Sequence, residues 1–173
     1  QPVLNENWVV RVYNTKRYFL VDLYSRQRNT SVWPLVLNKY HYGAMAIRGN
    51  DQWFGKPNTL GDFLTSDGKG REDGNATRAR WVEMHGDLDG QPAGVAIMGH
   101  PKNFRAPQPV RLHPSKPYFC FAPMALGEFE IKPDESYVSQ FRFYLHDGPV
   151  DPKESERLWN DYANPPKVKV SRR

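Results

Sequence analysis

The stretch Gly94–Pro114, GVAIMGHPKNFRAPQPVRLHP, concentrates the side chains that can do chemistry. His100 and His113 bracket a loop that holds Arg105, Arg111 and three prolines, and Pro114 follows. Each proline fixes φ and removes a backbone donor, so the loop is stiff. Histidine exchanges protons near neutral pH, and arginine holds a carboxylate or a developing oxyanion. Downstream, His146-Asp147-Gly148 follows a strand pattern, and Asp147 can orient a histidine or bond a hydroxyl. The expected roles are proton transfer for His100, His113 and His146, and substrate-oxygen binding for Arg80, Arg105 and Arg111. His41, on a Tyr-flanked segment, is a further substrate-binding candidate.

The five histidines, these four and His85, show no H-x-H spacing and no HExxH. No cofactor is predicted, although dispersed histidines can converge in space, which leaves a divalent metal open. His85, beside Gly86, reads as a surface turn residue. There is no nucleophile elbow, phosphate-binding loop, dinucleotide fingerprint or CxxC pair. Glu72, Asp73, Glu83, Glu128 and Glu130 offer carboxylates, but their spacing identifies no acid/base pair, which is defined in space. Cys120 is the single cysteine and lies in an apolar run, so it reads as a small buried hydrophobe.

Strands must position these groups. High aromatic content with many Pro and Gly favours short strands and tight turns. Strand patterns cover residues 8–13, 17–24, 35–37, 42–48, 77–84, 94–98, 118–121, 127–131 and 137–146. Residues 55–76, rich in Gly, Asp, Asn, Ser and Thr, read as a long surface loop. One helix follows Asp151, which can cap it, with Pro152 at the first position and Glu154 three after the cap. Leu158, Trp159 and Tyr162 fall at helical spacing to pack on the strands, and Asn164-Pro165-Pro166 stops the helix. The expected fold is mainly β: one antiparallel β-sandwich domain over residues 1–173 with a short C-terminal α-helix.

Side chains alternate across a strand. Phe141, Phe143 and Leu145 therefore separate from Gln140, Arg142, Tyr144 and His146. Likewise Trp8, Val10 and Val12 separate from Arg11 and Tyr13, and Phe19, Val21 and Leu23 from Asp22 and Tyr24. Three strands share a greasy face and a face mixing charge with tyrosine. A mixed face suits a sugar: rings cover its apolar C–H surface while Arg and Asp bond its hydroxyls. The alternative is a solvated face with favourable cross-strand pairs.

A net charge of +5 with no block of like charges gives no support for nucleic acid as a partner. No apolar run approaches the roughly 20 residues needed to span a bilayer. One cysteine leaves the redox compartment open, with a periplasmic or secreted setting favoured over a cytoplasmic one.

The ordered motifs YHYGAMAIRG (Tyr40 to Gly49), FLTSDGK (Phe63 to Lys69), GNATRARWVEMHG (Gly74 to Gly86), GVAIMGHPKNFR (Gly94 to Arg105) and FRFYLHDG (Phe141 to Gly148) cover most of residues 8–165. In this order they resemble a bacterial family labelled methane oxygenase PmoA, or PmoA-like. The resemblance implies a β-sandwich of the galactose-mutarotase-like supersandwich type and an association with carbohydrate utilisation. It supplies no reaction. Members of that family are commonly longer, with a DHPHH motif in an N-terminal half, and no such motif occurs here. The expectation is therefore that the chain is a C-terminal portion, with an N-terminal segment or a second chain supplying the rest. A membrane methane-oxidising subunit needs spanning helices, so the methane oxygenase reading is rejected. The leading expectation is a carbohydrate-active domain acting on a sugar or glycoside. Its rivals are a non-catalytic glycan-binding module built on Tyr13, Tyr24, Tyr144 and Arg142, and a structural or assembly domain.

Overall fold

The computed structural model describes residues 2–53 and 61–170. The chain is mostly β, in antiparallel sheets, with one helix near its C-terminus, as the alternation predicts. The large sheet has six strands. In spatial order they are β1 (Leu4–Tyr13), β2 (Tyr18–Asn29), β11 (Ser136–Asp147), β7 (Gln91–Gly99), β6 (Trp81–Leu88) and β5 (Gly61–Thr65). A three-stranded sheet joins β4 (Ala46–Arg48), β9 (Tyr118–Phe121) and β8 (Val110–Leu112), and β3 (Leu35–Leu37) pairs with β10 (Phe129–Ile131).

Local sequence explains the best-formed connections. β6 and β7 are joined by Asp89-Gly90, both at positive φ (52° and 81°), between the paired Leu88 and Gln91. That is the left-handed two-residue turn whose twist matches a hairpin. The helix α1 (Pro152–Ala163) starts as expected: the Asp151 carboxylate accepts the N–H groups of Lys153 (3.0 Å) and Glu154 (3.3 Å).

The large sheet is covered differently on its two faces. On one, Phe63, Val82, Met84, Val95, Ile97 and Phe141 pack against Val110, Leu112, Phe119 and Phe121 of the three-stranded sheet. On the other, Leu20, Trp81, Ala96, Met98 and Tyr144 lie beneath Leu158 of α1, flanked by Trp159 and Tyr162. Cys120 is buried with Ala122 and Met124 on the outer side of the small sheet, and burial pushes its thiol up.

Three expectations change. The long loop is partly strand: β5 occupies Gly61–Thr65 and pairs with β6, while residues 54–60 of that loop lie outside the described residues. His85 sits inside β6, half-buried, and burial lowers its pKa. The greasy face over β1 and β2 is bare: Trp8 is 62 % exposed, Val12 67 % and Phe19 71 %, and no described element covers them. Among the described residues, no helix is long and apolar enough to cross a membrane.

Candidate functional site

The ends of β6 and β7, the loop after β7 and the last turns of α1 enclose a cavity of about 150 Å³. A cavity of about this volume holds a benzene-sized ring. Its apolar walls are Ala79, Phe121, Trp159, Pro101 and Pro107, and its polar members include Arg80, His100 and Gln108.

The chain builds this wall rigidly. Gly99 donates its N–H to Arg80 O (2.9 Å), which holds the two strand ends together. Asn103, 5 % exposed, then clamps the loop to β11: its Nδ2 donates to Gln140 O and its Oδ1 accepts from Gln140 N, both at 2.8 Å. Arg78 donates to Pro107 O (2.6 Å) and Arg105 O (2.8 Å), and Gln108 Nε2 donates to Phe104 O (2.8 Å). The indole of Trp159 is fixed by its Nε1–H, which donates to Gly99 O at 3.0 Å. A loop whose backbone carbonyls are satisfied in this way is preorganised.

Arg80 stands at the rim. Its guanidinium lies 5.3 Å from the Trp159 ring centre, donates to Glu156 Oε2 (3.1 Å) and sits 3.5 Å from Asp67 Oδ1. Two carboxylates thus offset its charge. Arg80 Nε and Gln108 Oε1 are shielded from solvent and have no hydrogen-bond partner. The Tyr137 phenol is the neighbour of the Gln108 side chain: burial pushes it up, and its interaction with Gln108 opposes that. His100 Nδ1 accepts the Lys102 N–H (3.1 Å), so the neutral ring carries its proton on Nε2. Burial, then the nearby Lys102 charge, lowers its pKa, which keeps it neutral at physiological pH.

Of the candidates named from sequence, Arg80 and His100 meet at this cavity. The others are engaged elsewhere. Arg105 donates to the carbonyls of Pro123 (2.8 Å), Gly127 (2.7 Å) and Glu128 (3.1 Å), tying two loops together. Arg111 donates to Asn75 Oδ1 and Leu112 O, both at 3.0 Å. His113 Nδ1 accepts from Ser115 N (3.2 Å) and Lys116 N (3.1 Å), which makes it a turn former. His41 is exposed and packs between Tyr40 (4.5 Å) and Tyr42 (4.4 Å). Asp147 ends β11 exposed, with its carbonyl 3.2 Å from His146 Nδ1.

His146 belongs to a second constellation, beneath the start of α1. Its Nε2 is 2.9 Å from Glu83 Oε1, and Ser155 Oγ donates to Glu83 Oε2 at 2.9 Å. Glu83 and Ser155 are fully buried. A carboxylate and a carbonyl stand at its two nitrogens, and the Glu83 hydrogen bond raises its pKa against the opposing effect of burial. Ser155 bonds the carboxylate and not the imidazole, so this is an anchor and not a nucleophile–base pair.

Tyr144, expected on an open sugar platform, is 8 % exposed under α1. It stacks on His146 (4.7 Å, 21°), and burial pushes its phenol up to about 12. Arg142, 7 % exposed, is locked bidentate onto Asp22 (2.7 and 3.0 Å). The reason in both cases is the helix: α1 returns over the face that alternation marks as polar. Conversely, Trp159, read from sequence as a core anchor, is also a cavity wall. The available signal was its pairing with Tyr162 at i+3, with an indole N–H that needs an acceptor. Among the described residues, no three His, Cys, Asp or Glu side chains gather to hold a metal ion.

Fold and site together define a helix-capped β-sandwich domain with a ring-sized, preorganised pocket at one end of its large sheet. The chain belongs to DUF6807, a family of unknown function, whose profile matches residues 1–160. No curated protein and no solved structure matches it.

Proposed function

We propose that this domain recognises a saccharide and that the cavity beside Trp159 receives one sugar unit. The observation that carries this reading is the composition of that cavity: apolar walls of Trp159 and Phe121 with Arg80, His100 and Gln108 among them, in a volume of about 150 Å³. Rings and prolines suit the C–H surface of a pyranose, and polar groups among them suit its hydroxyls. Because Asp67 and Glu156 offset the Arg80 charge, an uncharged polyhydroxyl ligand fits better than an anion. The unpaired Arg80 Nε adds to this. An unsatisfied buried polar group costs about 1–3 kcal/mol, and a small turn of the Arg80 side chain toward the cavity lets a hydroxyl relieve it. The motif resemblance to the PmoA-like family points to carbohydrate as well.

The geometry favours binding over turnover. His100 is the one imidazole among the cavity's described lining residues, and no carboxylate lines the cavity with it. Titration of the protein with monosaccharides, followed by calorimetry and amide chemical shifts, tests the reading. Saturable binding that Trp159→Ala and Arg80→Gln each weaken, with unchanged circular dichroism, supports it. Binding that neither variant alters places the ligand elsewhere. Chemical conversion of the bound sugar, lost on His100→Ala, would instead establish an enzyme.

A further inference from the structure

A second concavity, of about 380 Å³, opens on the far side of His100. His100 lines both spaces. Trp159 and Tyr162 lie one helical turn apart on α1, the first in the cavity wall and the second in this groove. The His100 ring stands edge-on to Tyr162, with centres 5.0 Å apart and planes at 86°. The groove floor is supplied by the three strands β1, β2 and β11, whose register sets Arg11 opposite Asp22 and Arg142 opposite Asp22.

The chemistry of this floor matches that of the cavity. Arg142 is stacked 4.6 Å from the Tyr162 ring centre and 5.2 Å from that of Tyr13. Its charge is offset by Asp22, which also accepts the Tyr13 hydroxyl at 2.7 Å. Asp22 thus accepts three hydrogen bonds, and a carboxylate has about four acceptor positions, so one is left for a ligand hydroxyl. Among the described residues the Gln140 side-chain amide makes no hydrogen bond, its bonded groups being the backbone N–H and C=O. It offers a donor and an acceptor beside His100. Tyr24 adds a half-buried ring, and the rim carries Arg11 and Asp161, of opposite sign.

We infer that the ligand is an uncharged oligosaccharide, whose terminal unit fills the cavity and whose next unit crosses His100 into the groove of Tyr13, Tyr24 and Tyr162. This rests on the saccharide reading above and extends it from a single sugar to a chain. Balanced charge in both spaces excludes a requirement for uronate or sulfate groups.

The test uses glucose, galactose, mannose and xylose, each compared with its α- and β-linked di- and trisaccharides by calorimetry and amide shifts. In at least one series the disaccharide binds about tenfold or more tighter than its monosaccharide, a difference of about 1.4 kcal/mol. Tyr24→Ala removes that gain and leaves monosaccharide affinity within about twofold, as expected for separate subsites. Trp159→Ala weakens both ligands. Equal affinity for mono- and disaccharide in every series, or equal weakening of both by Tyr24→Ala, overturns the extension and leaves the cavity reading standing. No binding of any saccharide overturns both.

Discussion

The two ends of helix α1 rest on the same face of the large sheet and treat their polar groups in opposite ways. At the N-terminal end the buried carboxylate is paired on both oxygens: Ser155 and His146 each hold one oxygen of Glu83, and Asp151 caps the first turn. At the C-terminal end Trp159 and Tyr162 roof two concavities, and Arg80 Nε is left without a partner. Buried polar groups in folded proteins are normally satisfied. A saturated carboxylate therefore marks where the helix is fastened, and under the saccharide proposal the unpaired Arg80 Nε belongs to the end that receives a ligand. Both ends contain a histidine from the candidate set, and their environments push them in opposite directions: His146 is raised by its Glu83 bond, and His100 is lowered by burial.

The contrast can be broken first at Glu83. Glu83→Ala removes the acceptor shared by Ser155 and His146 Nε2, and each buried polar group left unpaired costs about 1–3 kcal/mol. Urea denaturation measures this, and a loss below about 1 kcal/mol would mean that the cluster does not fasten α1. The second effect falls on the other end. Trp159→Ala is expected to weaken saccharide binding by more than about tenfold, as truncation of an aromatic anchor does, with a smaller stability loss than Glu83→Ala. Arg80→Gln should lower affinity by up to about tenfold while costing less than about 1 kcal/mol of stability, because its ion pairs with Asp67 and Glu156 are partly exposed.

The smallest effect is in pH, and its sign separates the two histidines. The folded-state pKa of His146 is raised above 6.5, so its contribution is complete below that value and is lost as pH rises through the folded pKa. The stability gap between the wild type and His146→Gln should therefore shrink from pH 6 toward alkaline pH. For His100 the folded pKa is lowered, so stability is unaffected above 6.5 and falls as pH drops below it. Thermal melts of the wild type and both single variants across pH 5–9 check the pair of signs; a gap for His146→Gln that widens with pH would contradict the anchor geometry.

Much of the scaffold is legible in the chain because its signals are local. Asp151-Pro152 starts α1, Asp89-Gly90 turns β6 into β7, and alternation in β1, β2 and β11 assigns the correct parity to each face. β5 escaped because its Gly- and Asp-rich composition is a loop signal, which pairing with β6 overrides. β8 escaped because it lies inside the proline-rich stretch, where Val110 and Leu112 are buried against the small sheet's neighbours Phe119 and Phe121. At the site, Arg80 and His100 were recognisable by type, whereas Trp159 resembled any core aromatic.

The sequence by itself determined the mainly β sandwich, the capped helix and which residues share a face, since propensity, turn chemistry and the two-residue strand period act within a few positions. Only the tertiary structure decided which faces are covered. It laid α1 over Arg142 and Tyr144, left Trp8, Val12 and Phe19 bare, joined Glu83 to His146 and Ser155 across 63 and 72 residues, and brought Arg80, His100 and Trp159 around one cavity. The physical reason is that burial and hydrogen-bond satisfaction belong to pairs of groups. When the pair is far apart in the chain, neither residue carries a local mark of its partner.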